Sequence, residues 1–337
     1  MIRVAVDAMG GDKAPQAEIA GALQALASLP DTFMIQLVGR PDAIEAELSR
    51  YPDADRSRLE VHPAADVIGM SEKPLAAVRK KPNSSIVVGL NLQKQARSDA
   101  FLSAGNTGAT LAASTMLLGL HDGVERATVA TLFPTGREPV LVLDGGANLD
   151  CSARELVGFA YLGTVYMRDI LGQTRPVVGL LNIGEEEEKG TAVVREAHQL
   201  LKASPRLTYA GNIEGRDILP GPHRRTHVDV VVCDGFIGNI VLKFYEAAGR
   251  VFVGLLQERA PDIFERPALR ELVSLLDYST YGGAPLLGVR GVSIICHGAS
   301  SPNAIRNGIR VALQAVTSGL TAHIAAEFAQ REPVVRS

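Results

Sequence analysis

The amino-acid sequence predicts an α/β protein with a three-layer α/β/α arrangement, in which helices cover both faces of a mostly parallel sheet. Short runs rich in valine, isoleucine and leucine recur along the chain, which is typical of strands buried on both faces. Segments rich in alanine and leucine, with helical spacing of their apolar residues, lie between these runs. Because strand and helix alternate, we expect most of the strands to be parallel.

Eight apolar runs are predicted to form strands. They are residues 2–6, 33–38, 100–102, 127–132, 140–143, 177–181, 228–233 and 292–296. The clearest helical segments are residues 14–28, 107–120, 151–171, 191–203 and 301–330.

A single catalytic domain is predicted over residues 1–331, followed by a tail at residues 332–337. No repeat of fixed period and no linker rich in proline, glycine or serine divides the chain. Residues 249–277 are the exception, because their apolar residues have helical spacing but are interrupted by Pro261 and Pro267. This segment is predicted to be a helical excursion outside the sheet.

The composition is typical of a structured protein that acts on small molecules. Of the 337 residues, 46% are hydrophobic and 21% are charged, and the formal net charge is -3. Such a charge disfavours nucleic-acid binding, which needs an excess of cations. The three widely spaced cysteines suit neither a disulfide framework nor a metal site, so we expect reduced thiols and no metal. A signal-peptide pattern and a run of ~18 apolar residues are both missing, which predicts a cytoplasmic protein.

The loops that follow the strands carry the candidate site, because ligands of open α/β sheets bind beyond the carboxyl ends of the strands. The first strand is followed by a turn with two glycines and a lysine beside a helix start, where backbone N–H groups could hold an anion. Its candidate residues are Asp7, Gly10, Gly11, Asp12 and Lys13. A plain strand-to-helix turn is the alternative interpretation.

Later loops repeat this combination of glycine with short polar side chains. Each also has a structural interpretation: Thr107 could only cap a helix, the glutamates at 185–188 could form a solvated face, and His297 could be a hydrogen-bonded structural residue. The candidate residues of these loops are Ser103, Asn106, Thr107, Gly108, Asp144, Asn148, Lys189, Asn212, Asp234, Asn239, Lys243 and His297.

Several catalytic signatures are missing from the chain. It contains no G-x-G-x-x-G, G-x-x-x-x-G-K-[ST], H-E-x-x-H or G-x-S-x-G pattern. Dehydrogenases with the dinucleotide fingerprint, P-loop kinases, zinc proteases and serine hydrolases of the nucleophile-elbow type are therefore disfavoured.

Taken in order, the loops resemble the PlsX family of acyl-carrier-protein:phosphate acyltransferases. The matching segments are residues 7–15, 103–109, 144–148, 182–190, 211–218, 234–243, 281–288 and 297–298, so the resemblance covers nearly the whole chain. The sequence departs from the family at Gly145, where a bulkier apolar residue is frequent. It also departs over residues 249–277, which are shorter and less rich in lysine.

The resemblance implies a fold similar to isocitrate and isopropylmalate dehydrogenases and to phosphate acetyltransferases. It implies a homodimer that converts acyl-[acyl-carrier-protein] and inorganic phosphate to acyl phosphate and free carrier protein, for phospholipid synthesis. No cofactor is expected, because phosphate is already an oxygen nucleophile and a thiolate is an adequate leaving group. The enzyme needs mainly to position phosphate and to stabilise a tetrahedral oxyanion.

Residue roles follow from this resemblance as hypotheses. Gly10, Gly11 and Lys13 would cradle phosphate with Ser103, Asn106 and Thr107, and His297 would donate to the departing sulfur or to the oxyanion. Lys13, Asn106, Lys189 and His297 are the catalytic candidates, Lys189, Asn239 and Lys243 are candidates for charge stabilisation, and the other loop residues are substrate-binding candidates.

Three partner surfaces are also implied. Residues 79–81 and Arg224 with Arg225 are basic patches for an acidic carrier protein, unless they are only solvated faces. The excursion could bury a dimer bundle, or it could touch the inner face of the cell membrane through apolar residues with Arg259, Arg266 and Arg270. A glycerol-phosphate acyltransferase downstream would then receive the acyl phosphate.

Two other functions remain open from the residues alone. A hydride-transferring relative of the same fold class would need an aspartate metal cluster and an arginine motif for its substrate, neither of which is found. A scaffold without activity would have lost the candidate lysine and asparagine residues, which are present.

Overall fold

The structure is a computed structural model that describes residues 1–135, 138–219, 227–260, 262, 266 and 282–330. Within these residues, 1–127 and 282–330 form one compact unit, and the described part of 128–280 forms a second. The first unit is thus discontinuous in sequence. Two compact units are compatible with one catalytic domain, so the single domain over residues 1–331 stays a prediction.

The strands and helices follow one another along the chain as follows. The strands are β1 (Ile2–Asp7), β2 (Phe33–Gly39), β3 (Leu59–Pro63), β4 (Ala100–Ser103), β5 (Thr128–Val129), β6 (Thr131–Phe133), β7 (Val140–Leu143), β8 (Val177–Leu181), β9 (Thr208–Ile213), β10 (Val230–Val232), β11 (Ala284–Leu287) and β12 (Val292–Ile295). The helices are α1 (Gln16–Ser28), α2 (Pro41–Leu48), α3 (Pro74–Lys80), α4 (Ser85–Lys94), α5 (Thr107–Leu118), α6 (Ala153–Leu171), α7 (Ala192–Lys202), α8 (Gly235–Arg259), α9 (Pro302–Thr317) and α10 (Leu320–Ala329).

Six strands of the first unit lie side by side in the order β3-β2-β1-β4-β12-β11. Their pairings are parallel except for that of β11 with β12. Phe101 packs with the helices α3, α4 and α5 in one buried apolar cluster. The next residue, Leu102, points to the opposite face, where α9 approaches so closely that a Cβ on Gly308 would lie 2.7 Å from it. Helices therefore cover both faces of this sheet.

The second unit has a sheet of five strands in the order β6-β7-β10-β8-β9. Only the pairing of β6 with β7 is antiparallel. Gly163 lets α6 approach the sheet, since a Cβ there would lie 2.6 Å from Val230. On the other face, Val231 belongs to a buried cluster that includes Ile237 and Val241 of α8.

The predicted α/β fold with mostly parallel strands is confirmed, with some differences in detail. The predicted strand at 127–132 is interrupted after Val129, so β5 and β6 are separate strands. The predicted helix at 301–330 is divided at Gly319, whose φ of +70° ends α9 and begins α10. The sequence patterns do not predict β3, β9 and β11, because their residues are partly exposed or include proline and glycine.

Helix α8 continues for 25 residues to Arg259, so the start of the predicted excursion is the last part of a long helix. Most of residues 261–277, with both prolines, and the tail at 332–337 lie outside the described residues. In the part of the chain that is described, no helix combines the length and the hydropathy needed to cross a bilayer.

Candidate active site

Three turns of the first unit meet beyond the carboxyl ends of β1, β4 and β12, which are neighbours in the sheet. The backbone N–H of Asp12 donates to the carbonyl oxygen of Gly298, with an N···O distance of 2.8 Å. Gly10 packs against Gly105 so closely that a Cβ on Gly10 would lie 2.7 Å from the Gly105 nitrogen. The turns that contain Gly10, Gly105 and Gly298 are therefore joined, as a shared anion site requires.

The turn after β1 needs glycine at both Gly10 and Gly11, for different reasons. A Cβ on Gly10 would lie 2.4 Å from Oδ2 of Asp7, which is shorter than a normal contact. Gly11 has a φ of +115°, a backbone conformation that residues with a side chain rarely adopt. A Cβ on Gly11 would also lie 2.5 Å from Oε1 of Glu18. The turn is therefore built from backbone. The N–H groups of Met9 and Gly10 donate to Asp7 and that of Asp12 donates to Gly298, so among the described residues of the turn the Gly11 N–H stays available to a ligand.

Asp7 and Ser103 form a buried pair that holds the first two turns together. The Ser103 hydroxyl donates to Oδ2 of Asp7 at 2.7 Å, and the N–H of Met9 donates to Oδ1 at 3.0 Å. Burial raises the pKa of Asp7, and hydrogen bonds from Ser85 and Ser103 oppose that rise. Since both Asp7 and Ser103 are fully buried, they hold the turns in place from inside the protein and are not exposed at the surface of the site.

Asn106 is the N-cap of α5, and its side chain is fully engaged. Its Oδ1 atom accepts from the N–H of Ala109 at 3.0 Å. Its Nδ2 atom donates to three backbone carbonyl groups at distances of 3.1, 3.1 and 3.2 Å, those of Gly69, Met70 and Glu72. The amide thus fixes the start of α5 and fastens a neighbouring loop to it.

Thr107 is the first residue of α5 and is exposed. The interpretation of Thr107 as the helix cap is therefore wrong, because Asn106 takes that role. The N–H groups of Thr107 and Gly108 lie in the first helical turn of α5, where backbone N–H groups have no acceptor within the helix. These donors and the positive end of the helix dipole favour an anion at this position.

Lys13 and His297 are exposed side chains on two of the three joined turns. Among the described residues, the Lys13 ammonium group makes no ion pair. Nδ1 of His297 accepts from the N–H of Ala299 at 3.1 Å, so the neutral ring carries its hydrogen on Nε2. The site thus offers a free cation and a side-chain hydrogen-bond donor.

In the second unit, the Asp144 side chain accepts hydrogen bonds from several backbone N–H groups of the turn after β7 and from one of β5. Its Oδ1 atom accepts from the N–H groups of Val129, Gly146 and Ala147 at 3.1, 3.3 and 3.2 Å. Its Oδ2 atom accepts from the backbone and side-chain nitrogens of Asn148 at 2.7 and 2.8 Å. Because Asp144 is fully buried, its carboxylate organises the turn.

The start of α8 packs against this turn. Asp234 caps α8 by accepting from the N–H of Ile237 at 2.8 Å, and the N–H of Gly235 donates to the Asn148 carbonyl at 2.7 Å. A Cβ on Gly146 would lie 3.1 Å from that of Asn239. Asn148, Asp234 and Asn239 are thus brought together, and the exposed Lys243 lies one turn further along α8.

The loop after β8 packs on the end of β9. Nδ2 of Asn212 donates to the carbonyl of Glu186 at 3.0 Å, and Nδ2 of Asn182 donates to the carbonyl of Lys189 at 3.1 Å. The glutamates at 185–188 are exposed, and Glu187 forms an ion pair with Lys202 at 2.6 Å. The solvated-face interpretation of this acidic run is therefore confirmed, and the exposed Lys189 is free to act.

The sequence patterns do not predict two features of the first unit. They assign no role to Gly298, although its carbonyl accepts from the Asp12 N–H and so joins the turn after β12 to the turn after β1. They also assign no role to Glu18, because an acidic residue in the first turn of a helix is explained by the helix dipole. Among the described residues, no group of three histidine, cysteine, aspartate or glutamate side chains has the arrangement of a metal site.

The chain is similar throughout its length to known proteins. A family model described as "Fatty acid synthesis protein" matches residues 2–323. A phosphate acyltransferase from Nostoc punctiforme (strain ATCC 29133 / PCC 73102) is 44% identical, over 97% of this chain and 96% of that one. A phosphate acyltransferase from Heliobacterium modesticaldum (strain ATCC 51547 / Ice1) is 45% identical, over 96% of each chain.

Solved structures with low sequence identity share the fold. A phosphotransacetylase from Streptococcus pyogenes has a TM-score of 0.63 at 16% identity and covers 94% of each chain. The EutD phosphotransacetylase from Staphylococcus aureus has a TM-score of 0.60 at 15% identity, over 95% of this chain and 94% of that one. At this identity the likeness concerns the fold alone.

Proposed function

The chain belongs to the fatty acid synthesis protein family, whose relatives at 44% and 45% identity are phosphate acyltransferases, and from this we propose its reaction. It transfers the acyl group of acyl-[acyl-carrier-protein] to inorganic phosphate, which yields acyl phosphate and free carrier protein. The observation that carries the proposal is the junction of the turns at Gly10, Gly105 and Gly298 beside the start of α5. Backbone donors, a helix terminus and a free lysine there suit a phosphate group.

The reaction needs positioning more than activation. A phosphate oxygen attacks the thioester carbon and forms the new C–O bond, and the tetrahedral intermediate then expels the carrier-protein thiolate. We assign phosphate binding to the backbone of Gly10 and Gly11, to the N–H groups of Thr107 and Gly108, and to the Lys13 ammonium group. Holding the two reactants in line supplies most of the rate enhancement that such a reaction requires.

Charge stabilisation and proton transfer complete the assignment. We propose that Nε2–H of His297 donates to the departing sulfur or to the oxyanion, which fits the backbone hydrogen bond at Nδ1. Lys189, Asn239 and Lys243 of the second unit are proposed to stabilise negative charge that develops in the reaction. The polar contacts of Asn106 support a positioning role for it, because they leave its amide no hydrogen for substrate.

The buried acids are also assigned positioning roles. Asp7 and Asp144 accept hydrogen bonds from their own turns and are shielded from solvent. The remaining substrate-binding candidates are Asp12, Asn148, Asn212 and Asp234. The hydrogen bonds of Asn148 to Asp144 and of Asp234 to the start of α8 favour a structural role for these two residues.

The substrates and the product imply partners for the protein. Of the predicted basic patches, Arg79 and Lys80 are exposed, whereas Lys81 pairs with Glu72 at 2.6 Å. We propose that Arg79 and Lys80 help to dock the acidic carrier protein in the cytoplasm. Arg224 and Arg225 lie outside the described residues. Acyl phosphates are reactive, so a glycerol-phosphate acyltransferase at the membrane is the proposed consumer.

Helix α8 supports two further proposals, a homodimer and peripheral contact with the inner face of the membrane. It exposes apolar residues at helical spacing, including Ile240, Phe244 and Phe252, which are 53%, 74% and 53% exposed. Exposed apolar faces of this kind are typical of association surfaces. The exposed Arg259 and Arg266 could meet anionic head groups, while Arg270 lies outside the described residues.

An acyl-phosphate trapping assay tests the reaction. The protein is incubated with acyl-loaded carrier protein and phosphate, and hydroxylamine converts any acyl phosphate to a hydroxamate. We expect phosphate-dependent hydroxamate from the natural chain and a loss of about 10- to 1000-fold in kcat/KM for phosphate in Lys13→Ala. Lys94→Ala, which removes an exposed lysine from α4, is the matched control. Activity of Lys13→Ala within a few-fold of that control would refute the assignment.

A further inference from the structure

Glu18 is a buried carboxyl group beneath the turn of Gly10 and Gly11, and the proposed reaction gives it no role. It is the third residue of α1 and is 1% exposed. Its Oε2 atom has no hydrogen-bond partner within the described residues. Its Oε1 atom occupies the space in which a Gly11 side chain would begin, since a Cβ there would lie 2.5 Å away. A buried carboxyl group with one unpartnered oxygen thus lies against the backbone that is proposed to hold phosphate.

The charges of two acids, Asp7 and Asp12, disfavour the ionised form of Glu18. Burial raises the pKa of Glu18 to about 8, and the charges of Asp7 and Asp12 add to that rise, against an opposing hydrogen bond from its own N–H. Among the described residues, no lysine or arginine lies within ion-pair distance of Glu18. Glu18 is therefore mostly neutral at pH 7.

Among the described residues, no charged group on the elements packed around α1 forms an ion pair with Glu18. At the end of β12, burial and the charge of Glu18 raise the pKa of Cys296 to about 12, so that this thiol stays neutral. On α9, the Arg306 guanidinium donates to Oδ1 of Asn307 at 2.9 Å. On α2, Glu47 pairs with Arg50 at 3.1 Å.

We propose that Glu18 is a positioning residue that permits phosphate binding only in its neutral form. The proposal rests on the function proposed above and adds the group that sets the alkaline limit of phosphate binding. The neutral carboxyl supports the turn of Gly10 and Gly11 without opposing an anion. A carboxylate at the same place puts a negative charge directly beneath the phosphate cradle, where burial leaves it little screened.

The expected effect follows from the fraction of neutral Glu18. If only the neutral form binds phosphate, the apparent KM for phosphate is the intrinsic value divided by that fraction. With a pKa of about 8, the KM rises about fivefold between about pH 8 and about pH 9. The value of kcat at saturating phosphate changes less, because phosphate binding holds Glu18 neutral.

The test is the pH dependence of the KM for phosphate in Glu18→Gln, which mimics the neutral acid. Glu18→Gln should keep near-natural activity at about pH 7 and lose the rise in KM between about pH 8 and about pH 9. The natural protein should take up protons when phosphate binds near pH 8.5, as measured by calorimetry in buffers of different ionisation enthalpy. This second measurement needs no variant, so it stays decisive if Glu18→Gln folds poorly.

Stability provides a folding control with a defined sign. The folded pKa of Glu18 lies above its ordinary value of 4.5, so the unfolded chain ionises first and Glu18 opposes folding increasingly from about pH 4.5 to about pH 8. Glu18→Gln should therefore melt at a higher temperature than the natural protein at pH 8, with a smaller difference at pH 5.

Failure of this inference differs from failure of the proposed function. If the natural protein forms no acyl phosphate, the function itself is wrong. If it forms acyl phosphate but Glu18→Gln keeps the natural rise in KM, or if phosphate binding takes up no proton, Glu18 has no part in phosphate binding.

Discussion

Gly10 is the residue on which the candidate site depends most closely. A side chain there would meet Oδ2 of Asp7 at 2.4 Å and the backbone nitrogen of Gly105 at 2.7 Å. Neither group can retreat easily, because Asp7 is held by Ser103 and Gly105 is main chain. Separating the two turns is therefore the only way to relieve such contacts.

Gly10→Ala is predicted to weaken phosphate binding and stability together. Overpacking of this kind costs about 1–3 kcal/mol in the free energy of unfolding, and displaced turns should raise the KM for phosphate by about tenfold or more. Urea unfolding and steady-state kinetics measure the two effects. Gly215→Ala is the matched control, since a Cβ on Gly215 meets nothing within 4 Å. Equal behaviour of the two variants would show that Gly10 is not tightly packed in solution.

The sequence predicted which residues lie in the turns beyond the strand ends, but not the contacts that these residues make. The glycines, Lys13 and Ser103 follow from the rule that strand ends carry ligands. The roles of Asn106 and Asp144 could not be predicted, because the same side chain can face a ligand or satisfy its own turn. Glu18 was missed for a related reason, since only the fold shows that its carboxyl lies beneath Gly11.

The start and length of helix α8 differ from what the sequence pattern predicts. The pattern predicts an excursion from residue 249, whereas the helix begins at Gly235 and runs unbroken to Arg259. Its first residues pack on the sheet through Ile237 and Val241, and later ones are exposed. One helix thus belongs to the core at its start and presents an apolar surface further on.

Replacing Phe244 and Phe252 by aspartate should separate the two proposals for this surface. If α8 forms the dimer, the double variant should become a monomer in light scattering at concentrations where the natural chain is a dimer. If α8 meets lipid, the variant should lose co-flotation with vesicles that contain anionic lipid. Leu75→Asp changes an apolar residue of α3 that is 47% exposed, and it should alter neither result. Unchanged dimerisation and flotation in the double variant would remove both roles.

For the whole molecule, the sequence predicted the architecture but not its division into units. Alternating strands and helices identify the parallel sheets, and the fold agrees with that of the phosphotransacetylases. The boundary at residue 127 carries no linker, and residues 282–330 return to the first unit. Contacts between distant segments define such a unit, and local patterns of apolar residues do not record them.

The return of residues 282–330 also explains how the candidate site is assembled. It brings β12 beside β4 and places Gly298 against Asp12, about 286 residues further along the chain. The site of the first unit therefore depends on both ends of its sequence. Mutations that loosen β12 should weaken the site even though they lie outside the turns.

Phosphate titration of the protein labelled with ¹⁵N-glycine tests whether phosphate binds at the junction of the three turns, because each turn carries glycine amides. We expect concentration-dependent shifts for the amides of Gly10, Gly11, Gly105 and Gly108, and none for Gly163 or Gly215. Unmoved signals from the first group at phosphate concentrations that support turnover would contradict a phosphate site at this junction.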